Sequence, residues 1–161
     1  MQSRDKPSEI GRQARIVALA SSTGGPRALQ ELLAALPSDF SVPILAVQHL
    51  AKGYVSHLVS ALAASCRIRV KLAEHREPLA AGTIYIGPDD YHLGVADRHS
   101  IELSGAPPVE RFRPSANWLF SSVAFHFGSA AVAVILSGMG QDGVAGLVEI
   151  RRAGGLIVAQ D

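Results

Sequence analysis

Three short stretches carry side chains whose types could do chemistry together: Ser21-Ser22-Thr23-Gly24-Gly25, Gln48-His49 and Ser137-Gly138-Met139-Gly140-Gln141-Asp142-Gly143. A serine hydroxyl attacks poorly until a neighbouring imidazole takes its proton. The imidazole does this best when a carboxylate fixes its tautomer and favours the imidazolium form. Ser22, His49 and Asp142 are the members of these stretches that fit the three roles. Backbone N–H groups of the third stretch, that of Met139 foremost, would face a developing oxyanion. Losing one such donor typically costs about two to three orders of magnitude in rate.

Plainer readings stand beside this one. Ser22 can be a small turn residue, His49 a satisfied core histidine, and Asp142 a turn residue or helix cap. The first stretch can also be read as a phosphate cradle, because helix N-termini attract anions. Its details argue against that. A phosphate loop needs lysine then Ser or Thr after its glycines, whereas Pro26-Arg27 follow here, and the G-x-G-x-x-G dinucleotide fingerprint is not matched. Each residue alone is ordinary. What packing does not require is that all three fall at the ends of strands.

The strands are read from apolar patterning. Arg15 to Ala20, Val42 to Leu50 and Ala130 to Leu136 are short, nearly continuous apolar runs, as expected of strands buried on both faces. Leu29, Leu32, Leu33 and Leu36 repeat at helical spacing behind Pro26, which suits a first helical position. Val55, Leu58, Val59 and Leu62 mark a second helix, and Val144, Leu147 and Val148 begin another. Ser115 caps a helix whose stripe is Ala116, Leu119, Phe120, Val123 and Phe127. Leu156 to Gln160 reads as a last strand. Between Arg69 and Leu103, short alternating segments split by Gly82, Gly87-Pro88 and Asp97-Arg98 read as hairpin-like strands. The expected fold is therefore α/β, a doubly wound, mostly parallel sheet with helices on both faces and a hairpin-rich insertion in the middle. In such sheets ligands bind outside the carboxyl ends of the strands.

Composition excludes several classes. The 161 residues are 48% hydrophobic and 18% charged with a net charge of +1, enough for one domain with its own core. Without a basic block, nucleic acid is not an expected partner, and no apolar run reaches the roughly 18 residues of a spanning helix. The single cysteine, Cys66, allows no internal disulfide and points to a reducing, cytoplasmic setting. It reads as a small buried hydrophobe. Residues 1–14 are polar, lack an apolar leader core and read as a flexible tail or linker remnant. No metal or cofactor is expected: Asp89, Asp90 and His92 sit in a Gly-Pro turn without a supporting ligand pair. His57, His75, His99 and His126 are scattered, and Arg111 and Arg113 flank Phe112 in what reads as a solvated loop.

These stretches resemble the catalytic domain of the chemotaxis protein-glutamate methylesterases, the CheB family, from about Arg15 to Asp161. That family carries an A-S-T-G-G turn, a Q-H step and a G-M-G-x-D-G loop. Leu79 to Leu93, Ala106 to Ala124 and Val134 to Gly143 also look like it. The resemblance implies Ser22 as nucleophile, His49 as general base and Asp142 as orienting acid. Met139, with Thr23, would position the oxyanion or substrate. It further implies hydrolysis of glutamate γ-methyl esters on the cytoplasmic helices of chemoreceptors, and deamidation of receptor glutamine through the same acyl-enzyme. Three departures bear on this. The family domain continues for a further strand and helix where this sequence stops, so a second copy is a candidate to complete the layer. The family's usual receiver domain is not among these 161 residues. "LAKGY" replaces a proline-rich step after Q-H, and Asn117 stands where aspartate is common. The alternative is a truncated, non-catalytic receptor-interaction module.

Overall fold

A computed structural model describes residues 14–22, 25–136 and 140–160. Thr23 and Met139, and all but Ala14 of the expected tail, lie outside the described residues.

Six parallel strands form the main sheet in the order β3-β4-β2-β1-β7-β8. They are β1 (Ile16–Ser21), β2 (Ile44–Gln48), β3 (Arg69–Leu72), β4 (Thr83–Ile86), β7 (Ala131–Ile135) and β8 (Leu156–Ala159). The central strands read as apolar runs because both of their faces are covered. Along β1, Ile16, Ala18 and Ala20 enter one core while Leu19 enters the other. β2 divides likewise, with Leu45 and Val47 on one side and Ile44 and Ala46 on the other. This is the two-residue period of a strand sandwiched between helical layers.

Helices α1 (Gly25–Ala34) and α2 (Val55–Ser65) cover one face through Leu29, Leu33 and Leu62. Helices α3 (Ala116–Phe127) and α4 (Val144–Arg152) cover the other through Phe120, Val123 and Ile150. Ser115 caps α3, its Oγ accepting the Trp118 N–H at 3.3 Å. α4 crosses α3 so closely that a Cβ at Gly146 would lie 2.7 Å from Phe120 Cβ. Among the described residues no helix is long and apolar enough to cross a membrane.

The middle segment divides differently from its alternation. Only β5 (His92–Val95) and β6 (Ile101–Ser104) form an antiparallel hairpin, which joins the α3 side of the core. β3 and β4 instead extend the parallel sheet, with Val70 opposite Ile84. An edge strand with one solvated face alternates whatever its direction, which hides β3, whereas β4 is an interior strand whose polar positions, Thr83 and Tyr85, are buried as well.

Candidate active site

The three stretches meet at the carboxyl edge of the sheet, around β1. Ser22 follows β1, and its carbonyl accepts the Gly25 N–H at 2.7 Å and Gln48 Nε2 at 2.9 Å. Gly25 must be glycine here, because a Cβ would overlap Ser21 Oγ and approach Gln48 Oε1 at 3.3 Å. The chain thus bends sharply from strand into helix with Ser22 at the bend, only 7% exposed. His49 directly follows β2, its N–H continuing the sheet ladder to Ser21 O at 2.9 Å. Gln48 Nε2 also reaches His49 O at 3.3 Å, so one amide pins the backbones of both neighbours.

Asp142 comes from the loop after β7 and reaches the first turn of α3. Its carboxylate accepts Ser115 Oγ at 2.8 Å, Ala116 N–H at 2.7 Å and Asn117 N–H at 3.1 Å. These are donors that a helix start leaves unsatisfied, in the place where its dipole favours negative charge. His49 Nε2 lies 2.9 Å from Asp142 Oδ2, in a contact too bent for a well-aligned hydrogen bond. Burial pushes the Asp142 carboxyl up, and the contacts from His49, Ala116, Asn117 and Ser115 outweigh it, leaving the pKa below its ordinary 3.8. Asp142 is therefore ionised at neutral pH although only 1% exposed.

A cleft of about 590 Å³ opens over this edge, lined by Ser22, Gln48 and His49 with Lys52, Asp90 and Arg113 among its walls. His49 Nδ1, the nitrogen away from Asp142, is buried without a hydrogen-bond partner. Ser22 and His49 share the cleft but form no Oγ–Nδ1 hydrogen bond in this structure. Catalytic contacts of this kind often tighten only when substrate is bound.

Several residues outside the expected set support these. Asn117 Oδ1 accepts the N–H groups of Gly143 and Gly146, both at 2.9 Å, and so ties the Asp142 loop and α4 to α3. Its departure from aspartate thus falls on an internal acceptor, not on the cleft wall. Ser115, whose capping role was legible, is also an Asp142 donor. Phe112 stacks on His49, which nothing in the sequence signalled.

The remaining candidates take structural places. His92 is fully buried, its Nδ1 accepting Ser115 N–H at 3.2 Å and its Nε2 donating to Pro107 O at 3.0 Å. Those partners define its tautomer and leave no lone pair for a metal. Asp89 accepts Gly53 N–H at 2.9 Å, and Asp90 pairs with Lys52 at 2.6 Å. Among the described residues no group of His, Cys, Asp and Glu is placed to hold a metal ion. Arg113 donates to the carbonyls of Gly105 and Ala106, so it anchors its segment and is not simply solvated. Cys66 is half-buried just past α2.

The doubly wound parallel sheet thus brings a serine, an imidazole and a buried carboxylate together at its carboxyl edge, where such folds bind their ligands. The family model described as CheB methylesterase matches residues 17–161, and the chain belongs to that family. It is 53% identical over 146 residues to protein-glutamate methylesterase/protein-glutamine glutaminase 4 of Myxococcus xanthus, covering 91% of this chain and 41% of that protein. It is 47% identical over 156 residues to protein-glutamate methylesterase/protein-glutamine glutaminase 3 of Anaeromyxobacter dehalogenans, covering 96% and 45%. The crystal structure of the Thermotoga maritima CheB methylesterase catalytic domain superposes with a TM-score of 0.89 at 35% identity, covering 92% of this chain and 80% of that one. The chain spans less than half the length of these curated relatives.

Proposed function

We propose that this chain is a serine ester hydrolase that removes methyl groups from glutamate γ-methyl esters on the cytoplasmic helices of chemoreceptors. The observation that carries this reading is the Asp142–His49 contact at 2.9 Å, in the wall of the cleft that Ser22 also lines. Asp142 engages Nε2, so Nδ1 is the nitrogen left to act on Ser22. The better-known serine proteases use the two ring nitrogens the other way round.

In the proposed reaction Nδ1 takes the Ser22 proton as Oγ bonds to the ester carbonyl carbon. The imidazolium then holds its Nε2–H against the Asp142 carboxylate, whose charge is kept by the α3 donors. Collapse of the tetrahedral intermediate breaks the C–OCH₃ bond, and the imidazolium gives methanol its proton. A water deprotonated at the same nitrogen hydrolyses the acyl-enzyme, freeing glutamate and returning the proton to Ser22. The N–H of Met139, with Thr23, would take the oxyanion. With glutamine as substrate the same steps release ammonia, which gives the deamidase activity that the relatives' names carry.

The test is methanol release from a methylated receptor fragment. Ser22→Ala should abolish turnover while leaving the circular dichroism spectrum and melting temperature unchanged. Turnover at the wild-type rate would contradict the reading, whereas a non-catalytic module would be inactive with Ser22 present.

A further inference from the structure

Residues 109–112 form a tight two-residue turn whose Arg111 and Phe112 line the cleft. Val109 and Phe112 exchange both backbone hydrogen bonds, at 3.0 and 2.9 Å. The two residues between them, Glu110 and Arg111, both have positive φ, 49° and 75°. This is the turn geometry that usually takes Asn-Gly, and two side-chain-bearing residues there carry backbone strain. The segment is held from its far side by Arg113, bonded to Gly105 and Ala106. The turn delivers Phe112 face to face with His49, with centroids 4.1 Å apart and planes within 5°.

We propose that Phe112 is a positioning residue that sets the plane of the His49 imidazole. The catalytic consequence rests on the hydrolase reading above; the positioning itself does not. The His49 backbone is already fixed by Ser21 and Gln48, so what remains free is rotation of the side chain. The Asp142 contact is short but bent, and such a contact does not define the tilt of a ring. A parallel aromatic face at 4.1 Å does, since tilting the imidazole would drive its edge into the phenyl ring. The two contacts act in series. Phe112 holds the ring in the plane that brings Nε2 to Asp142, and the acid then keeps the proton on that nitrogen, so the single tautomer depends on both.

The experiment compares the whole chain with Phe112→Leu, which keeps an apolar cover but removes the parallel face, and Phe112→Tyr, which keeps the face. Nitrogen-15 spectra of the histidine rings report which ring nitrogen carries the proton, independently of any activity. Wild type and Phe112→Tyr should show one His49 tautomer, protonated at Nε2, and Phe112→Leu should show averaged ring signals. In methyl-ester hydrolysis Phe112→Leu should lose about tenfold in kcat or more, with KM nearly unchanged, and Phe112→Tyr should restore it. If Phe112→Leu leaves both ring signals and kcat at wild-type values, the proposal is overturned. A rise confined to KM would also overturn it, because the ring would then be touching substrate. Should Phe112→Leu melt too early to read, loss of the single tautomer in a folded Phe112→Tyr would overturn it as well. Ring signals that depend on Phe112 in a wild type releasing no methanol would uphold the positioning and sink the hydrolase reading instead.

Discussion

The two halves of the site are built in opposite ways. On the acid side, every approach to the Asp142 carboxylate is occupied, by His49 and by three donors from the start of α3. On the serine side, order resides in the backbone: the Ser22 carbonyl holds two donors, while Ser21 Oγ and Gln48 Oε1 are buried without partners. The difference teaches where each half can afford freedom. A buried charge that must stay ionised through a proton transfer needs fixed donors, because unpaired it would be protonated or expelled. A serine that is to attack needs a fixed backbone and a hydroxyl left available to its base.

The comparison breaks most sharply at Asp142. Asp142→Asn presents an NH₂ group to donors that need an acceptor, and removes the charge that steadies the imidazolium. A loss of about ten-thousandfold in kcat is expected if the tautomer argument holds, measured by methanol release. The same substitution should lower the melting temperature, since a mismatched buried group costs about 1–3 kcal/mol. Ser22→Ala, by contrast, should stop turnover with no such loss of stability.

Next come substitutions on the serine side that act through the backbone. Gly25→Ala forces Ser21 and Gln48 apart and should shift Ser22 by enough to cost about a hundredfold in kcat. Gln48→Leu removes the amide that spans Ser22 and His49 and should cost roughly tenfold, visible in kcat more than in KM. Wild-type kinetics in both would mean that the Ser22 bend is not held as described.

The acid side also has a pH signature. The folded pKa of Asp142 lies below its ordinary value. Its stabilising contribution is therefore complete above the unfolded pKa of about 3.9 and is lost as pH falls through the lower folded value. Thermal melts from about pH 5 downward should show wild type losing stability across that window. Asp142→Asn should lose less, and parallel curves would remove the linkage. Smallest of all is Lys52→Ala. Its pair with Asp90 is solvent-exposed, so the melting temperature should stay put and only KM for the methylated receptor fragment should move.

How much of this could be read in advance follows from range. That Ser22, His49 and the Asp142 loop come together was legible because each follows an apolar strand, and the carboxyl edge of a parallel sheet collects such ends. The covering helices were legible from Leu29, Leu33 and Phe120, whose spacing matches a buried stripe. Asp142 read as an orienting acid or a cap, and its carboxylate caps a helix distant in sequence. Phe112 was not legible. Its position depends on a turn with Glu110-Arg111 in place of the usual signal residues, and on the path of the segment between β6 and α3 that brings that turn beside His49. β3 and β4 were misplaced because alternation of residue types says nothing of strand direction, and in β4 even the polar positions are buried.

The central claim is that Ser22 is made nucleophilic by His49 under the hold of Asp142. Its most direct measurement is the rate and position of covalent labelling by a fluorophosphonate, followed by peptide mass spectrometry. The account predicts one adduct, on Ser22, forming far more slowly in His49→Ala and Asp142→Asn. An adduct on another residue, or one forming on Ser22 at an undiminished rate without the imidazole, would contradict it.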